Sequence, residues 1–314
     1  MLESVDPAVV GLSKDRLTQI TRWLDAQVAD GKLAGASTLI ARRGKVAYLQ
    51  SAGFADKESG KVMDADTIVR IYSMSKSVTS VAAMMLYEEG CFQLDDPVAK
   101  YLPEFAETPV WDGGDAPITA VHEQRSPMQV RHLMNHTSGL TYGFMNTTPV
   151  DAQYRAHEIE FQSRTESLAD IVRRLAGIPL LCQPGTQWNY SVSTDVLGRL
   201  VEVWSGMSLA TFFEKRIFVP LGMTDTGFSV PERSQDRFAA LYAPAVGGDM
   251  STVGSGSASV PQDQRGGLKL MEGSSRSVYF NEPASHSGGG GLVGTIGDYA
   301  RFCQMLINLG GTRR

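Results

Sequence analysis

The chain has 314 residues, of which 42% are hydrophobic and 20% are charged, a balance typical of a soluble globular protein with a large core. Its formal net charge of −5 comes with no long run of either sign, which argues against nucleic acid or an anionic membrane as a partner. A small neutral molecule is the expected partner.

The N-terminal segment carries acidic residues at Glu3 and Asp6 and no apolar core flanked by basic residues, which argues against a secretory signal. The longest apolar windows are too short to span a membrane. The three cysteines, Cys91, Cys182 and Cys303, are odd in number and widely spaced, so we expect buried free thiols. Together these features predict a cytoplasmic protein.

The first predicted element is a helix over residues 13–31. Ser13 is a typical N-cap residue, apolar residues follow at i, i+3 and i+4 spacing, and Gly31 ends the element. Residues 35–54 then contain two β-rich runs separated by the sequence RRG, which predicts a β-hairpin. Because an isolated hairpin is only marginally stable, we expect further strands beside it.

A buried helix is predicted over residues 75–89, which are rich in Ala, Met, Leu and Val, with Ser73 at its start and Gly90 at its end. From about 100 to 285 the sequence predicts helices separated by long loops. The predicted helices lie in the sequences SPMQVRHLMNH, SLADIVRRLAG, STDVLGRLVEVWSG and SLATFFEKRIFVPLGM. This region therefore differs in character from the β-rich N-terminal part.

Two glycine-rich stretches follow toward the end of the chain. Residues 243–267 are rich in Gly, Ser and Pro, which predicts a loop or an excursion from the fold. The run SGGGGLVGT then leads into a last helix, with Thr295 or Asp298 at its start. No internal repeat is present.

Ser73 and Lys76 form an S-x-x-K motif at the start of the predicted buried helix. Backbone N–H groups lack partners at a helix start, so one of them can donate to the oxyanion of an acyl-transfer reaction. Lys76 would lie on the same helix face one turn later. By spacing alone, however, a cap serine and a surface lysine are the favoured interpretation.

Tyr190 lies in a loop before a helix that we expect to begin near Ser193 or Asp195. A tyrosine phenol has a reference pKa of about 10, so a tyrosine that acts as a base near neutral pH needs a nearby cation. An ammonium group about 4 Å away supplies about 4 kcal/mol at an effective dielectric near 20. Lys76 suffices if the fold brings it close, and otherwise Tyr190 is an ordinary half-buried loop aromatic.

Five blocks of sequence resemble, in the same order, the serine β-lactamase and penicillin-binding-protein superfamily. The blocks are SMSK (73–76), HLMNHTSGL (132–140), PGTQWNYSVSTDVLG (184–198), IFVPLGMTDTGF (217–228) and GGGGLVGTIGDYARF (288–302). They look most similar to the class C-related esterase branch, the family VIII carboxylesterases. The resemblance runs from the first helix to the end of the chain.

The resemblance implies a role for each motif residue. Ser73 would be the acylated nucleophile, and its backbone N–H would form half of the oxyanion hole. Lys76 would be the proton acceptor and electrostatic partner of Ser73. Tyr190 would pass a proton to the leaving group and activate water for deacylation. No cofactor and no metal are implied.

The chain departs from the family pattern in two places. Class C β-lactamases have Asn at the third position of the tyrosine box, where this chain has Val192, which cannot hydrogen-bond a lactam amide. Val192 in the substrate site therefore favours esters. The third family box, K-T-G or W-x-G, belongs on a strand beyond the last helix, so we expect the C-terminal strands to be missing here. The sequence HSG at 286–288 mimics this box but runs directly into the glycine run.

Other candidate residues carry weaker signals. His132 and His136 have the i, i+4 spacing of a zinc pair without the glutamate of H-E-x-x-H, so we expect no metal site. No G-x-S-x-G motif points to an α/β-hydrolase. Tyr142, Phe144 and Met145 follow the HTSGL sequence and could line a pocket for the acyl or alcohol group, although ordinary packing explains them equally well.

These inferences predict an α/β protein with the serine β-lactamase-like (DD-peptidase-like) fold, an antiparallel sheet flanked by helices plus a mostly helical domain. Residues 1–100 and 286–314 would form the α/β domain, and residues 101–285 the helical domain with long loops. The active site would lie in the cleft between them. The predicted function is hydrolysis of short-chain carboxylic esters through an acyl-enzyme on Ser73.

The sequence leaves several functions open. A β-lactamase or a D-amino-acid peptidase is less favoured because of Val192 and the absence of an export signal. Acyl transfer to an alcohol in place of water is not separated from hydrolysis. A catalytically silent binding protein would account for the missing third box. The natural substrate, the enantiomer preference and the oligomeric state, a homodimer included, do not follow from the sequence.

Overall fold

The computed structural model describes residues 3–245 and 267–310. Its first helix, α1 (Lys14–Ala29), begins where predicted, because the Ser13 hydroxyl accepts the N–H of Arg16. The helix packs on the adjoining sheet, and Gly31 follows its end with φ 66°. The prediction of this helix and of both its ends is confirmed.

The predicted hairpin is present as strands β1 (Gly35–Arg42) and β2 (Lys45–Asp56), which pair in antiparallel fashion. Its two turn residues, Arg43 and Gly44, both have positive φ, 56° and 75°, as a tight two-residue turn requires. Strand β3 (Lys61–Val62) pairs with the far end of β2, giving the sheet order β1-β2-β3.

The buried helix at the centre of the fold is α2 (Ser75–Glu88). It packs against α6 (Ser193–Ser205), and both helices contribute to the main hydrophobic core. Ser73 was expected at the start of α2 but lies just before it, in a 3₁₀ turn over Tyr72–Met74. The chain therefore enters the helix through a tighter turn than the apolar pattern indicates.

The remaining helices are shorter than α2. They are α3 (Val130–Met134), α4 (Pro149–Ala156), α5 (Leu168–Ala176), α7 (Leu209–Phe213), α8 (Val219–Leu221) and α9 (Ile296–Ile307). Three of them, α3, α5 and α7, contact α6. A π-helical turn joins α7 to α8. Helix α9 begins after Thr295, whose hydroxyl accepts the Asp298 N–H, so the first of the two predicted start residues is the cap. Helix α9 packs against β1.

Three further strand pairs were not predicted. They are β4 (Val69–Arg70) with β9 (Val293–Gly294), β5 (Val110–Trp111) with β6 (Val121–His122), and β7 (Leu241–Pro244) with β8 (Leu268–Glu272). Two of these pairs, β5–β6 and β7–β8, add strands to the region between about 100 and 285, which was predicted to be mostly helical with long loops. Strands of two residues are too short for an alternating pattern, and β7 and β8 flank the glycine-rich stretch, whose residues 246–266 lie outside the described residues.

The cysteines only partly match expectation. All three are free, but Cys91 and Cys303 are exposed and only Cys182 is buried. Cys91 comes directly after the glycine that ends α2, and Cys303 lies on an outward part of α9. Within residues 3–245 and 267–310, no helix is long and apolar enough to cross a membrane. The proposed boundaries of the helical domain stay a prediction.

The β1–β2 turn yields a stability prediction. Arg43 adopts a left-handed conformation that Asn tolerates better than Arg, so we expect Arg43→Asn to stabilise the protein by about 0.5–1 kcal/mol. The midpoint temperature of thermal unfolding should then rise by about 1–4 °C. Gly44→Ala, which puts a side chain at φ 75°, is the control and should lower it. An unchanged or lower midpoint in Arg43→Asn would contradict the turn assignment.

Candidate active site

Ser73 is held in its turn by hydrogen bonds on either side. The Ile71 N–H donates to the Leu292 carbonyl at 3.0 Å, and the Leu292 N–H donates to the Ser75 hydroxyl at 3.1 Å. Tyr72 has φ 43°, a left-handed conformation that costs a non-glycine residue about 1–3 kcal/mol. The fold therefore imposes a strained turn directly before the serine and leaves Ser73 exposed.

Three predicted functional groups meet at this turn. The Ser73 hydroxyl lies 2.5 Å from the Tyr190 hydroxyl, and the Lys76 ammonium donates to the Ser73 oxygen at 3.2 Å. The Lys76 Nζ atom also lies 4.8 Å from the centre of the Tyr190 ring. One serine oxygen is thus shared between a phenol and an ammonium group, an arrangement that suits proton transfer during nucleophilic attack.

Tyr190 is positioned by contacts between its loop and the HTSGL segment. The Asn189 N–H donates to the His136 carbonyl at 2.8 Å, and the Asn189 side-chain amide donates to the Leu140 carbonyl at 2.8 Å. On the other side, the Val192 N–H donates to the Thr141 carbonyl at 3.2 Å. Two of the five sequence blocks therefore act as one unit that presents Tyr190 to Ser73.

The two histidines of the considered zinc pair have separate structural contacts. His132 Nδ1 accepts the Gln129 N–H at 3.1 Å. His136 Nδ1 lies 3.2 Å from the Ser191 hydroxyl, and its ring centre lies 5.1 Å from that of Tyr190. Among the described residues, no group of three or more His, Cys, Asp or Glu side chains could hold a metal ion.

The glycine-rich segment 287–291 lies against the same site. Lys76 Nζ donates to the Gly289 carbonyl at 2.6 Å, and the Thr79 hydroxyl donates to the Gly288 carbonyl at 2.8 Å. Both acceptors are backbone oxygens, so this segment fixes the lysine head group through its main chain. The HSG sequence at 286–288 leads into this segment. The first residue of HSG, His286, places its Nε2 atom 3.0 Å from Glu282 Oε1.

Asp195 is a residue of the site that the sequence reasoning used only as a helix start. It lies in the first turn of α6 with 2% of its surface exposed. Its Oδ1 accepts the Ser287 hydroxyl at 2.5 Å and the Gly289 N–H at 2.9 Å. Burial raises the pKa of this carboxyl, while these two hydrogen bonds and the charge of Lys76 oppose the rise.

A cleft of about 800 Å³ opens beside Ser73. Tyr142 and Phe144 line one wall, with stacked rings 4.6 Å apart, and Val192 contributes a buried apolar surface at its base. The predicted pocket residues 142, 144 and 192 thus border the cleft, whereas Met145 does not line it. Burial, together with the charges of Asp195 and Tyr190, raises the pKa of Tyr142, so its phenol stays neutral.

The β7–β8 hairpin forms the opposite wall, where Leu241 and Met271 face the cleft. Side chains at its base attach it to the rest of the fold. The Lys57 N–H donates to the Tyr242 hydroxyl at 2.8 Å, which in turn donates to Glu58. The pairs that complete this attachment are Arg70 with Glu272, at 2.9 Å, and Ser274 with Asp56, at 2.5 Å.

Comparisons with known proteins identify the family of this chain. A family profile described as "Beta-lactamase" matches residues 20–313. Protein Rv1367c of Mycobacterium tuberculosis is 33% identical over 280 residues, which cover 89% of this chain and 64% of that protein. This chain therefore spans less than two thirds of the mycobacterial relative. Esterase EstB of Burkholderia gladioli is 32% identical over 312 residues, covering 96% of this chain and 73% of EstB.

The solved structures give the same result. EstCE1, described as a hydrolase with promiscuous acyltransferase activity, superposes with a TM-score of 0.73 at 30% identity, covering 95% of this chain and 74% of that one. The predicted serine β-lactamase-like fold and the resemblance to the family VIII carboxylesterases are confirmed. The chain belongs to the beta-lactamase family.

Proposed function

We propose that this protein hydrolyses short-chain carboxylic esters through an acyl-enzyme on Ser73. The observation that carries the proposal is the shared position of the Ser73 hydroxyl, 2.5 Å from the Tyr190 hydroxyl and 3.2 Å from Lys76 Nζ, at the mouth of an apolar cleft. A nucleophile within hydrogen-bond reach of its base is the general signature of covalent catalysis.

The Lys76–Tyr190 pair reacts in the form in which Lys76 is an ammonium group and the Tyr190 oxygen carries no proton. In the first half-reaction, the Ser73 oxygen attacks the ester carbonyl and its proton passes to the Tyr190 oxygen. The Ser73 backbone N–H donates to the oxyanion that forms. The bond to the alcohol oxygen then breaks, and the Tyr190 hydroxyl gives a proton to the leaving alkoxide. The products are a free alcohol and an ester of Ser73.

In the second half-reaction, water takes the place of the alcohol. The Lys76–Tyr190 pair removes a proton from the water as its oxygen attacks the acyl carbon. The bond between the acyl group and the Ser73 oxygen breaks, and the pair returns the proton to that oxygen. The carboxylic acid leaves, and the free hydroxyl is restored without any net change in the protein.

The lining of the cleft supports esters over lactams. Val192 is 2% exposed and belongs to the main core, so it offers carbon where a lactam amide needs a hydrogen-bond partner. Tyr142 and Phe144 add aromatic surface for a neutral acyl or alcohol group. An ester has no amide N–H, so it needs no hydrogen-bond partner from Val192 in the cleft.

Acyl transfer to an alcohol is a second candidate function. EstCE1, whose description includes promiscuous acyltransferase activity, supports it. The same acyl-enzyme would form, and an alcohol would replace water in the second half-reaction. Two rival functions remain, a β-lactamase or D-amino-acid peptidase and a silent binding protein. They are separated from ester hydrolysis by turnover of an ester beside a cephalosporin and by the reaction of Ser73 with a fluorophosphonate probe.

The first prediction of this mechanism concerns Ser73. We expect wild-type protein to hydrolyse p-nitrophenyl butyrate and to turn over a chromogenic cephalosporin much more slowly. Ser73→Ala should lower ester turnover by at least about 10³-fold, because it removes the attacking oxygen. Tyr190→Phe should lower it by about 10²–10⁴-fold, because it removes proton transfer. Steady-state kinetics on both substrates give the measurement.

Ser77→Ala removes an exposed serine from the same helix and is the control, with turnover expected to match wild type. Ester turnover that survives in Ser73→Ala contradicts the nucleophile assignment. Comparable turnover of cephalosporin and ester supports a β-lactamase. A folded protein that is inactive on both substrates and does not react with a fluorophosphonate probe supports the binding role.

The second prediction concerns the pH dependence of stability. Burial, with a smaller effect from Lys76, lowers the pKa of His136 to about 4. In the unfolded chain its pKa is about 6.5, so between pH 6.5 and pH 4 the unfolded state binds the proton first. The neutral His136 ring therefore makes its full contribution to the free energy of unfolding above pH 6.5. This contribution is lost as the pH falls toward 4.

His136→Asn should flatten this part of the curve. Asn tolerates the φ of 59° at this position, so the variant removes titration with little backbone strain. We expect wild type to lose about 1–2 kcal/mol more than His136→Asn between pH 7 and pH 4, a discounted value because the ring is only half-buried. Urea unfolding at several pH values measures it. His157→Asn removes an exposed histidine as the control, and identical slopes in wild type and His136→Asn would contradict the prediction.

A further inference from the structure

We propose that Asp195 is a positioning residue for the reaction, acting through Gly289 to hold Lys76 in line with Ser73. The inference rests on the proposed function, because its kinetic effect is on ester turnover. Asp195 does not hydrogen-bond the Ser73 hydroxyl or the Tyr190 hydroxyl. Its effect is transmitted by one residue of the glycine-rich segment.

Gly289 is held from two sides. Its N–H donates to Asp195 Oδ1 at 2.9 Å, and its carbonyl accepts from Lys76 Nζ at 2.6 Å. Only the φ and ψ angles of Gly289 separate these two groups. Because the carboxylate lies on the first turn of the buried helix α6, it is a rigid reference point from which the position of the carbonyl is set.

A second contact removes the remaining freedom of the segment. The same Asp195 oxygen accepts the Ser287 hydroxyl at 2.5 Å, and the Ser287 hydroxyl oxygen accepts the Gly290 N–H at 3.1 Å. One buried oxygen therefore organises both ends of the turn 287–290. A turn fixed at both ends keeps the Gly289 carbonyl pointed at the lysine.

Close packing supports the same conclusion. A Cβ atom on Gly289 would lie 2.4 Å from Asp195 Oδ2, and one on Gly288 would lie 2.8 Å from the Thr194 carbonyl oxygen. Contacts under 3.0 Å are not tolerated, so the segment approaches α6 as closely as backbone can. Glycine at these two positions thus follows from the need to bring a peptide against the carboxylate.

The alignment of Lys76 depends on this carbonyl. An ammonium group on a flexible four-carbon stem is oriented by its acceptors, and two acceptors in the structure are the Gly289 carbonyl and the Ser73 hydroxyl. The shorter of these contacts is to Gly289. If the carbonyl moves, Lys76 moves with it, and its contact with Ser73, already 3.2 Å, is lost first.

The test compares Asp195→Ala with Asp195→Asn. Alanine removes both contacts to segment 287–291, and we expect kcat for p-nitrophenyl butyrate to fall by about 10²-fold, since a shift of about 1 Å in a catalytic group has that effect. KM should stay within about threefold because the apolar lining residues Tyr142, Phe144 and Val192 are unchanged. Asparagine keeps a carbonyl acceptor for both donors, so its kcat should fall by no more than about tenfold.

Asp298 supplies the matched control. It is also a buried carboxylate in a first helical turn, and it accepts the Asp225 N–H at 2.8 Å and the Thr226 hydroxyl at 3.0 Å. Asp298→Ala should cost stability as Asp195→Ala does, but kcat per folded molecule should stay at the wild-type value. A kcat in Asp195→Ala that is no lower than in Asp298→Ala would overturn the proposal.

A crystal structure of Asp195→Ala tests the proposal without reference to turnover. We expect the Gly289 carbonyl and Lys76 Nζ to be displaced relative to Ser73, and unchanged positions would overturn the positioning role. Absence of ester hydrolysis in the wild-type protein would instead contradict the proposed function, and the crystallographic comparison would still decide the role of Asp195. The two failures are therefore distinguishable.

Discussion

The antiparallel pairing of β4 with β9 is the interaction on which the arrangement of the site depends. It consists of two residue pairs, Val69 with Gly294 and Arg70 with Val293, yet it joins the segment before Ser73 to the segment before the last helix. Ile68 and Val293 also pack in a small hydrophobic cluster, which anchors the pairing. The glycine-rich segment reaches Lys76 because this pairing brings it there.

Much of the fold could be predicted because its helices and its hairpin carry local signals. Helix α1 has a cap and an apolar face, and the RRG turn has a residue that tolerates positive φ. The pairs β4–β9 and β5–β6 carry no such signal, because strands of two residues gain their stability from distant partners. The local sequence therefore does not predict these pairs, because the residues that stabilise them lie far away along the chain.

The candidate site could be predicted only through the resemblance to a family. Spacing brings Ser73 and Lys76 together on one turn, but nothing local links them to Tyr190. Asp195 was missed because an acidic residue in the first turn of a helix is common and is favoured by the helix dipole. Its burial, and its contacts with the glycine-rich segment, depend on tertiary structure alone.

The two sides of the cleft are built in different ways, and this difference bears on how the protein can change. At Gly288 and Gly289 the glycine-rich segment packs too closely on α6 to accept a side chain, so few substitutions are open at these two positions. The β7–β8 hairpin is fastened by side chains at its base, while Leu241 and Met271 line the cleft without taking part in those side-chain contacts. Evolution, natural or directed, can therefore alter the lining of the cleft on the hairpin while Ser73, Lys76 and Tyr190 keep their geometry.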